Sequence, residues 1–356
     1  MSLPTRKLGK DGPEVTAIGL GLMGLSVAYG KPRSDAERMA FLDHAYELGE
    51  RNWDSGKGPA SSPDILTALT PEADAYGDNE DLLGRWFAAN PDKRSDIFLA
   101  TKFGLKFTPA GTLEVDSSPS YVKQALEQSL KRLGIPSVDL YYCHRLDGKT
   151  PIEQTVRAMA QLRAEGKIKH IGLSECSADS LRRASAVTRV DAVQIEYSPF
   201  ALDADADGLM AACRELAVAV VAYSPLGRGM LTGAYRSRDD FAHDDFRRSA
   251  PRFSEENFPK NLALVERIRE MAAAKGVTPS QLTLAWAAAQ GEHVIPIPGT
   301  SREERLRENL KALEVVLTPE EENAIRKLSE EAEVHGERYA QDATGSVLQV
   351  RDTPRE

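Results

Sequence analysis

Residues 138–175 read VDLYYCHRLDGKTPIEQTVRAMAQLRAEGKIKHIGLSE. The stretch divides into three. VDLYYCHR (138–145) is an apolar run that ends in polar residues, the pattern of a strand covered on both faces. PIEQTVRAMAQLRAEGK (151–167) carries apolar residues at the spacing of an amphipathic helix, and KHIGLSE (169–175) is a second strand. Strand, helix and strand in this span make one unit of a parallel sheet.

The alternation continues in both directions. Toward the N-terminus, VTAIGLGLMG (15–24) reads as a glycine-rich first strand and turn. A helix over 35–49 follows N-cap chemistry at Ser34 and Asp35, then a strand at 51–54, a helix over 79–90, a strand at 96–104 and a helix over 118–134 stopped by Gly134. Toward the C-terminus come a helix (178–187), a strand (191–199), a helix (207–217) and a strand (218–227). A long polar loop precedes helices over 261–275 and 279–290, a strand at 293–299, and helices over 302–313 and roughly 318–333. About eight strand–helix units favour a closed (β/α)8 TIM barrel, class α/β, over an open doubly wound sheet. The expected domain is 1–338, with 339–356 as a C-terminal tail that lacks a helical period and is either loose or folded over the barrel.

Bulk properties exclude several classes. The chain has 356 residues, with 54 acidic against 45 basic side chains and a net charge of −9, so no global attraction to nucleic acid or an anionic membrane is expected. Three dispersed cysteines, Cys143, Cys176 and Cys213, suggest neither a disulfide framework nor a metal site. No signal-peptide core and no apolar run of spanning length occur, and the expectation is a cytoplasmic protein. Oligomeric state is not legible.

Residues 19–24, GLGLMG, match a dinucleotide-binding fingerprint, but SVAYGKPR follows where a helix should open, and the needed acidic residue is missing. The glycines read better as part of the first strand and turn. Chemistry in a barrel sits at the C-terminal strand ends. Those ends carry Asp54, Lys102, His144, Ser174 or Glu175, Gln194, Tyr223 and Gly299, a polar set that packing alone would not produce. With Tyr76 just beyond the second strand, a mechanism is available. A phenol titrates near ~10 and is a poor acid at neutral pH, but a lysine ammonium beside it favours the phenolate. Aspartate would hold the lysine, and histidine would orient a carbonyl oxygen. The set could protonate an alkoxide and lacks only a hydride donor.

At this point WDS…ADAYGDNEDLLG, LATKFG, VDLYYCHRLD, LRAEGKIKHIGLSE, VQIEYSPF, VAYSPLGRG and PIPGTSREERLRENL together resemble, in order and spacing, the aldo-keto reductase family, over about residues 5–338. The seventh loop, DDFRRSAPRFSEENFPKN (244–261), is similar to its bacterial and fungal NADPH-dependent branch. The resemblance implies an oxidoreductase that reduces an aldehyde or ketone to an alcohol with NADPH, its partner being a small-molecule carbonyl substrate. It implies Tyr76 as general acid, tuned by Lys102 and Asp54, with His144 orienting the carbonyl. It places Ser174 and Gln194 on the nicotinamide carboxamide and Tyr223 against the nicotinamide ring; Glu175 stands where many relatives have Asn. Ser224, Pro225, Leu226, Gly227, Arg228 and Gly229, with Gly299, Thr300, Ser301, Arg302, Arg305, Glu308 and Asn309, would wrap the pyrophosphate and adenosine. Arg302 and Arg305 are the candidates for a 2′-phosphate, which guanidinium groups suit. Some relatives bind NADPH as redox-sensing or regulatory subunits, which is the alternative.

Each residue also has a plainer reading. Asp54 can be a cap, Lys102 a surface charge, His144 a core histidine, Tyr223 a packing residue, and Arg305 part of a solvated helix face. Cys143 reads as packing; Trp53, Trp86 and Tyr29 could line an apolar mouth, although Trp86 on its helix reads as core. One feature interrupts the resemblance. Removing the 17 residues Gly56–Glu72, GKGPASSPDILTALTPE, leaves RNWDSADAYGDNEDLLG, which reads straight through. They are either a true insertion in the loop after strand 2 or a retained intron. As an insertion they are expected to loop out, poorly ordered, with Tyr76 still reaching the site.

Overall fold

The computed structural model describes residues 3–56, 77–108, 112–340, 345 and 348–356. A hairpin comes first: β1 (Thr5–Lys7) pairs antiparallel with β2 (Glu14–Thr16). The central sheet then starts with β3 (Leu20–Gly21), β4 (Asn52–Asp54) and β5 (Phe98–Phe103). A second hairpin, β6 (Leu105–Phe107) with β7 (Leu113–Val115), lies outside the sheet. β8 (Val138–Cys143), β9 (Ile168–Ser174), β10 (Ala192–Glu196), β11 (Ala219–Tyr223) and β12 (Val294–Pro296) complete it, each parallel to its predecessor.

The eight-stranded sheet closes on itself. Gly19 N donates to Pro296 O at 2.9 Å and Gly21 N to Pro298 O at 3.2 Å, with a parallel bridge between Gly21 and Gly299. The backbones approach so closely that a Cβ on Gly21 would lie 2.9 Å from Ile297 O. Two glycines of GLGLMG, Gly19 and Gly21, thus lie on the seam of a barrel, while Gly24 falls in the short turn that follows. The apolar run at 15–24 is also not one strand as expected. Its first part belongs to the hairpin, and only Leu20–Gly21 enters the barrel. The break lets Leu8 and Val15 plug the barrel interior beside Ala100, Leu140, Ala192, Ala219 and Ile295.

Around the strands run α1 (Asp35–Glu47), α2 (Asn79–Ala89), α3 (Pro119–Leu133), α4 (Ile152–Ala164), α5 (Ala178–Val187), α6 (Asp203–Ala206), α7 (Leu209–Leu216), α8 (Asn257–Lys275), α9 (Pro279–Ala289), α10 (Glu303–Leu310) and α11 (Pro319–Glu331). Local chemistry sets their ends. Ser34 with Glu37, Thr278 with Gln281 and Thr318 with Glu321 form capping boxes, satisfying N–H groups that a helix start leaves orphaned. Gly134 ends α3 at φ 64°, as read from the sequence.

Side chains on a strand alternate, so every second residue faces the barrel axis. Ala100, Leu140, Tyr142, Ala192, Val221 and Tyr223 share the inner cluster, while Trp53, Leu99, Tyr141, Cys143, Leu173 and Ile195 pack outward against helices. The same alternation carries Asp54, Lys102, Ser174 and Gln194 inward at the top row. Trp53 and Trp86 are both fully buried in the outer layer and line no mouth; Cys143 packs there too. Among the described residues no helix is long and apolar enough to cross a membrane.

Candidate active site

The top row of the barrel holds a buried ion pair. Lys102, fully buried on β5, donates from Nζ to Asp54 Oδ1 at the end of β4 and to Ser55 O at 2.6 Å. Gly56 runs directly over the lysine; a Cβ there would sit 2.8 Å from Lys102 Cγ. Burial pushes the Asp54 carboxyl above its ordinary range, opposed by the Lys102 ammonium and by hydrogen bonds from Lys102 and Gln194. Such a pair is costly to desolvate and costs about 3–5 kcal/mol if one partner is removed. A surface-charge reading of Lys102 is therefore untenable. The other Asp54 oxygen, Oδ2, accepts from Gln194 Nε2 at 2.7 Å.

The neighbouring strand end brings His144, half-buried, beside this pair. Its backbone N–H donates to Phe103 O at 2.7 Å, and Lys102 is in register with Tyr142. Ser174, ending β9, is 1% exposed, and its Oγ accepts from Arg145 at 3.2 Å. Hydrogen-bond polarity follows from these partners. Asp54 accepts from the Gln194 amide nitrogen, so Gln194 Oε1 is left as an acceptor. Arg145 can only donate, so the Ser174 hydroxyl proton is left to give away. Among the described residues nothing takes up either. One O–H donor and one C=O acceptor at a barrel mouth complement a primary carboxamide.

Tyr76 lies outside the described residues, as do positions 57–72 of the interruption. The described flanks of that segment are bonded to each other: Ser55 Oγ donates to Asn79 Oδ1 at 2.6 Å, and Asn79 Nδ2 donates to Leu22 O at 2.9 Å. The two halves of the broken motif thus meet beside Asp54. Arg38, bonded to Asp78 at 2.7 Å, anchors the return into α2.

Around the mouth stands a collar of buried charge that joins Arg228, Glu175 and Tyr223 to Glu196, Arg252 and Arg338, which the sequence reading did not single out. Glu196, 2% exposed, faces Arg228 at 3.2 Å and Arg252 at 3.5 Å. Burial works to raise its carboxyl, but Arg228, Arg338 and Arg252 outweigh that and hold it below the usual range. Arg338 reaches Glu175 at 3.4 Å and Asp203 at 2.6 Å. Glu175 adopts a left-handed φ of 47° and accepts from Glu196 N at 2.9 Å, so its carboxylate is occupied by the collar. The C-terminal segment takes part: Arg338 O accepts from Arg228 at 2.8 Å, and the Tyr339 and Tyr223 hydroxyls are 3.3 Å apart. Farther on, Thr353 O accepts from Arg183 at 3.0 Å and Glu356 pairs with Arg157 at 2.5 Å. The described part of the tail is folded over the barrel, the second of the two expectations. No periodicity marks it, because isolated contacts hold it, these polar ones together with Leu348 packed on Leu105 and Leu113.

The loops after β11 and β12 follow adjacent strands. Ser224, Gly227, Arg228 and Gly229 all have positive φ, 49°, 57°, 55° and 93°, which curls 224–229 tightly; Pro225 and Leu226 lie within the curl. The Arg228 side chain is spent on the collar. After Gly299, Thr300 Oγ1 accepts from Arg302 N at 3.1 Å, and Ser301 precedes the start of α10. Arg302 is exposed and Arg305 half-buried, and neither pairs with a carboxylate among the described residues, whereas Arg307 nearby is paired with Glu303. Arg305 and Arg247 both act on the Tyr235 hydroxyl and, against its burial, hold that phenol below its usual value. Glu308 is half-buried; Asn309 is 3% exposed, with no side-chain partner among the described residues. Two guanidinium groups with no carboxylate partner, and an amide with no side-chain partner, among the described residues along one loop and helix suit a phosphorylated nucleoside.

Comparison with known proteins agrees with this arrangement. The family model described as "Aldo/keto reductase family" matches residues 17–330. The chain is 48% identical to the NADP(+) aldo-keto reductase yakc of Schizosaccharomyces pombe, over 99% of both chains. It is 49% identical to aldo-keto reductase str7 of Strobilurus tenacellus over 96% of both. Among solved structures, glycerol dehydrogenase AKR11B4 of Gluconobacter oxydans superposes with a TM-score of 0.77 at 25% identity, covering 93% of this chain and 97% of that one. A thermostable aldo-keto reductase in complex with the inhibitor epalrestat gives 0.69 at 28% identity, covering 92% and 100%. With a family match across most of its length and near-full-length relatives at almost half identity, the chain belongs to the aldo/keto reductase family.

Proposed function

We propose that this oxidoreductase reduces a small aldehyde or ketone to an alcohol, using NADPH and a proton delivered by Tyr76. The observation that carries the reading is the fully buried Lys102, paired with Asp54 and bonded to Ser55 O, in the same row as Ser174 and Gln194. When bound, NADPH supplies the hydride that reduces the carbonyl carbon. Ser174 and Gln194 would hold its carboxamide through their free donor and acceptor, Tyr223 its ring, the 224–229 curl and Gly299–Ser301 the pyrophosphate, and Arg302, Arg305, Glu308 and Asn309 the adenosine end. The NADP(+) in the name of the fission-yeast relative supports this choice of cofactor.

The protein's own groups then divide the remaining work. His144 donates to the substrate oxygen and fixes its position. Tyr76 passes its phenolic proton to that oxygen as negative charge develops there. Lys102 stabilises the phenolate left behind, and Asp54 keeps the ammonium charged and aimed. The buried setting strengthens each of these interactions relative to water. The test is consumption of NADPH with an activated aromatic aldehyde by the purified full-length protein. Steady turnover, faster with NADPH than NADH, is expected. Tight NADPH binding with no turnover across a carbonyl panel would overturn the enzyme reading in favour of a sensing role.

A further inference from the structure

Arg145 follows His144 directly and is 2% exposed, yet among the described residues no carboxylate forms an ion pair with it. A buried guanidinium without a contacting anion is expensive and calls for a reason. Its four bonds supply one. NH1 donates to His144 O at 2.6 Å and to Ser174 Oγ at 3.2 Å. Nε donates to Leu348 O at 2.9 Å, and NH2 lies 3.5 Å from the Tyr339 hydroxyl. One rigid, planar group thus ties the ends of β8 and β9 to the C-terminal segment.

A serine hydroxyl can donate or accept, and its rotor settles according to its partner. Facing a lysine or arginine it must accept, because those groups have no lone pair to offer. We propose that Arg145 is a positioning residue: it occupies the acceptor side of Ser174, so that the Ser174 proton is always presented to the carboxamide oxygen of the cofactor. The C-terminal segment supports the cofactor site through the same guanidinium. This inference rests on the cofactor reading above. Asp54 plays the mirror role for Gln194, and the two charged groups together give the mouth a fixed polarity before any ligand arrives. Such preorganisation saves the ordering cost at binding.

The test compares dissociation constants for NADP+ and its thionicotinamide analogue, whose sulfur is a weaker hydrogen-bond acceptor, by fluorescence titration of the full-length protein. The unaltered protein should prefer NADP+ by about fivefold, the value of one neutral hydrogen bond. Ser174→Ala should erase the preference. Arg145→Lys, still a pure donor, should keep it. Arg145→Gln offers Ser174 an acceptor and should erase it, with no further effect on the preference in the Ser174→Ala background. Melting curves check that each variant is folded. Equal weakening toward both ligands by Arg145→Gln, whatever stands at 174, would reduce Arg145 to a structural role and overturn the proposal. If Arg145→Gln does not fold, Ser174→Ala decides: a retained preference overturns the proposal, and its loss supports it. An unaltered protein that binds neither ligand would instead sink the cofactor reading itself.

Discussion

Replacing Asp54 with asparagine separates the charge of the buried pair from its shape. Asparagine keeps an oxygen for Lys102 Nζ, and Ser55 O still accepts from the lysine at 2.6 Å. What disappears is the counter-charge to a lysine that is fully buried. Breaking a buried pair costs about 3–5 kcal/mol, and the retained acceptor puts this case near ~3. An unfolding entropy of about 2.1 cal/mol/K per residue, over 356 residues, converts ~3 kcal/mol into a fall of about 4 °C in melting temperature. A second effect is specific to this site. The new amide N–H₂ would face Gln194 Nε2, donor against donor, at what is now a 2.7 Å bond. Gln194 must flip, turning its nitrogen toward the mouth and removing the acceptor expected for the carboxamide. NADP+ affinity should drop by about fivefold to tenfold beyond the change in stability, roughly one hydrogen bond lost and one donor opposed. Calorimetry and fluorescence titration on Asp54→Asn read the two effects separately. Unchanged melting together with unchanged affinity would refute both the buried-charge reading and the polarity reading.

Arg305→Ala should raise the Michaelis constant for NADPH by about tenfold or more and leave that for NADH nearly unchanged, since a charge-assisted phosphate contact is worth about 1.5–3 kcal/mol; equal losses would move the 2′-phosphate elsewhere. Glu50, fully buried at the barrel floor, has its carboxyl pushed up to about 8 by burial, although Thr16 Oγ1 and Asn52 N donate to it at 2.6 and 2.7 Å. The folded protein therefore holds a proton that the unfolded chain releases above 4.5, so the contribution of Glu50 to stability falls by up to ~1.4 kcal/mol per pH unit between 4.5 and about 8 and is level outside that window. Glu50→Gln should remove that slope, gaining on the parent as pH rises, and a constant gap between their melting temperatures would refute it. A chain lacking residues 56–72 should fold with a melting temperature within a few degrees of the parent, because Ser55 and Asn79 already meet; failure to fold would show that the segment contributes structure.

Much of the fold was legible because periodicity reports burial, and in a parallel barrel every strand is buried on both faces. The α5 helix over 178–187 appears with the bounds read from the sequence, and most other elements within a few residues. The first strand was misjudged for a physical reason. Val15 at the barrel floor and Ala17 and Ile18 after the hairpin are buried as fully as Leu20 of the barrel strand, so the apolar run passes unbroken across the boundary between hairpin and barrel. Asp54, Lys102, Ser174 and Gln194 were legible as polar ends of apolar runs. Arg145, Glu196 and Arg338 were not, since a buried arginine and a solvated one look alike in sequence; only adjacency to His144 hinted at Arg145. The tail was ambiguous because it is held by separate contacts, such as Leu348 O with Arg145 and Thr353 O with Arg183, that carry no repeat.

The central proposal, proton delivery by Tyr76 in an NADPH-dependent carbonyl reduction, is tested most directly by Tyr76→Phe. Cofactor binding and turnover of an aromatic aldehyde should be measured on the same preparation. The phenol acts only as the carbonyl oxygen gains charge, so NADPH affinity should stay within about twofold while kcat falls by at least two orders of magnitude, the range for losing a general acid. Full turnover by Tyr76→Phe, with NADPH bound as before, would contradict the assignment and require another acid at the mouth of the barrel.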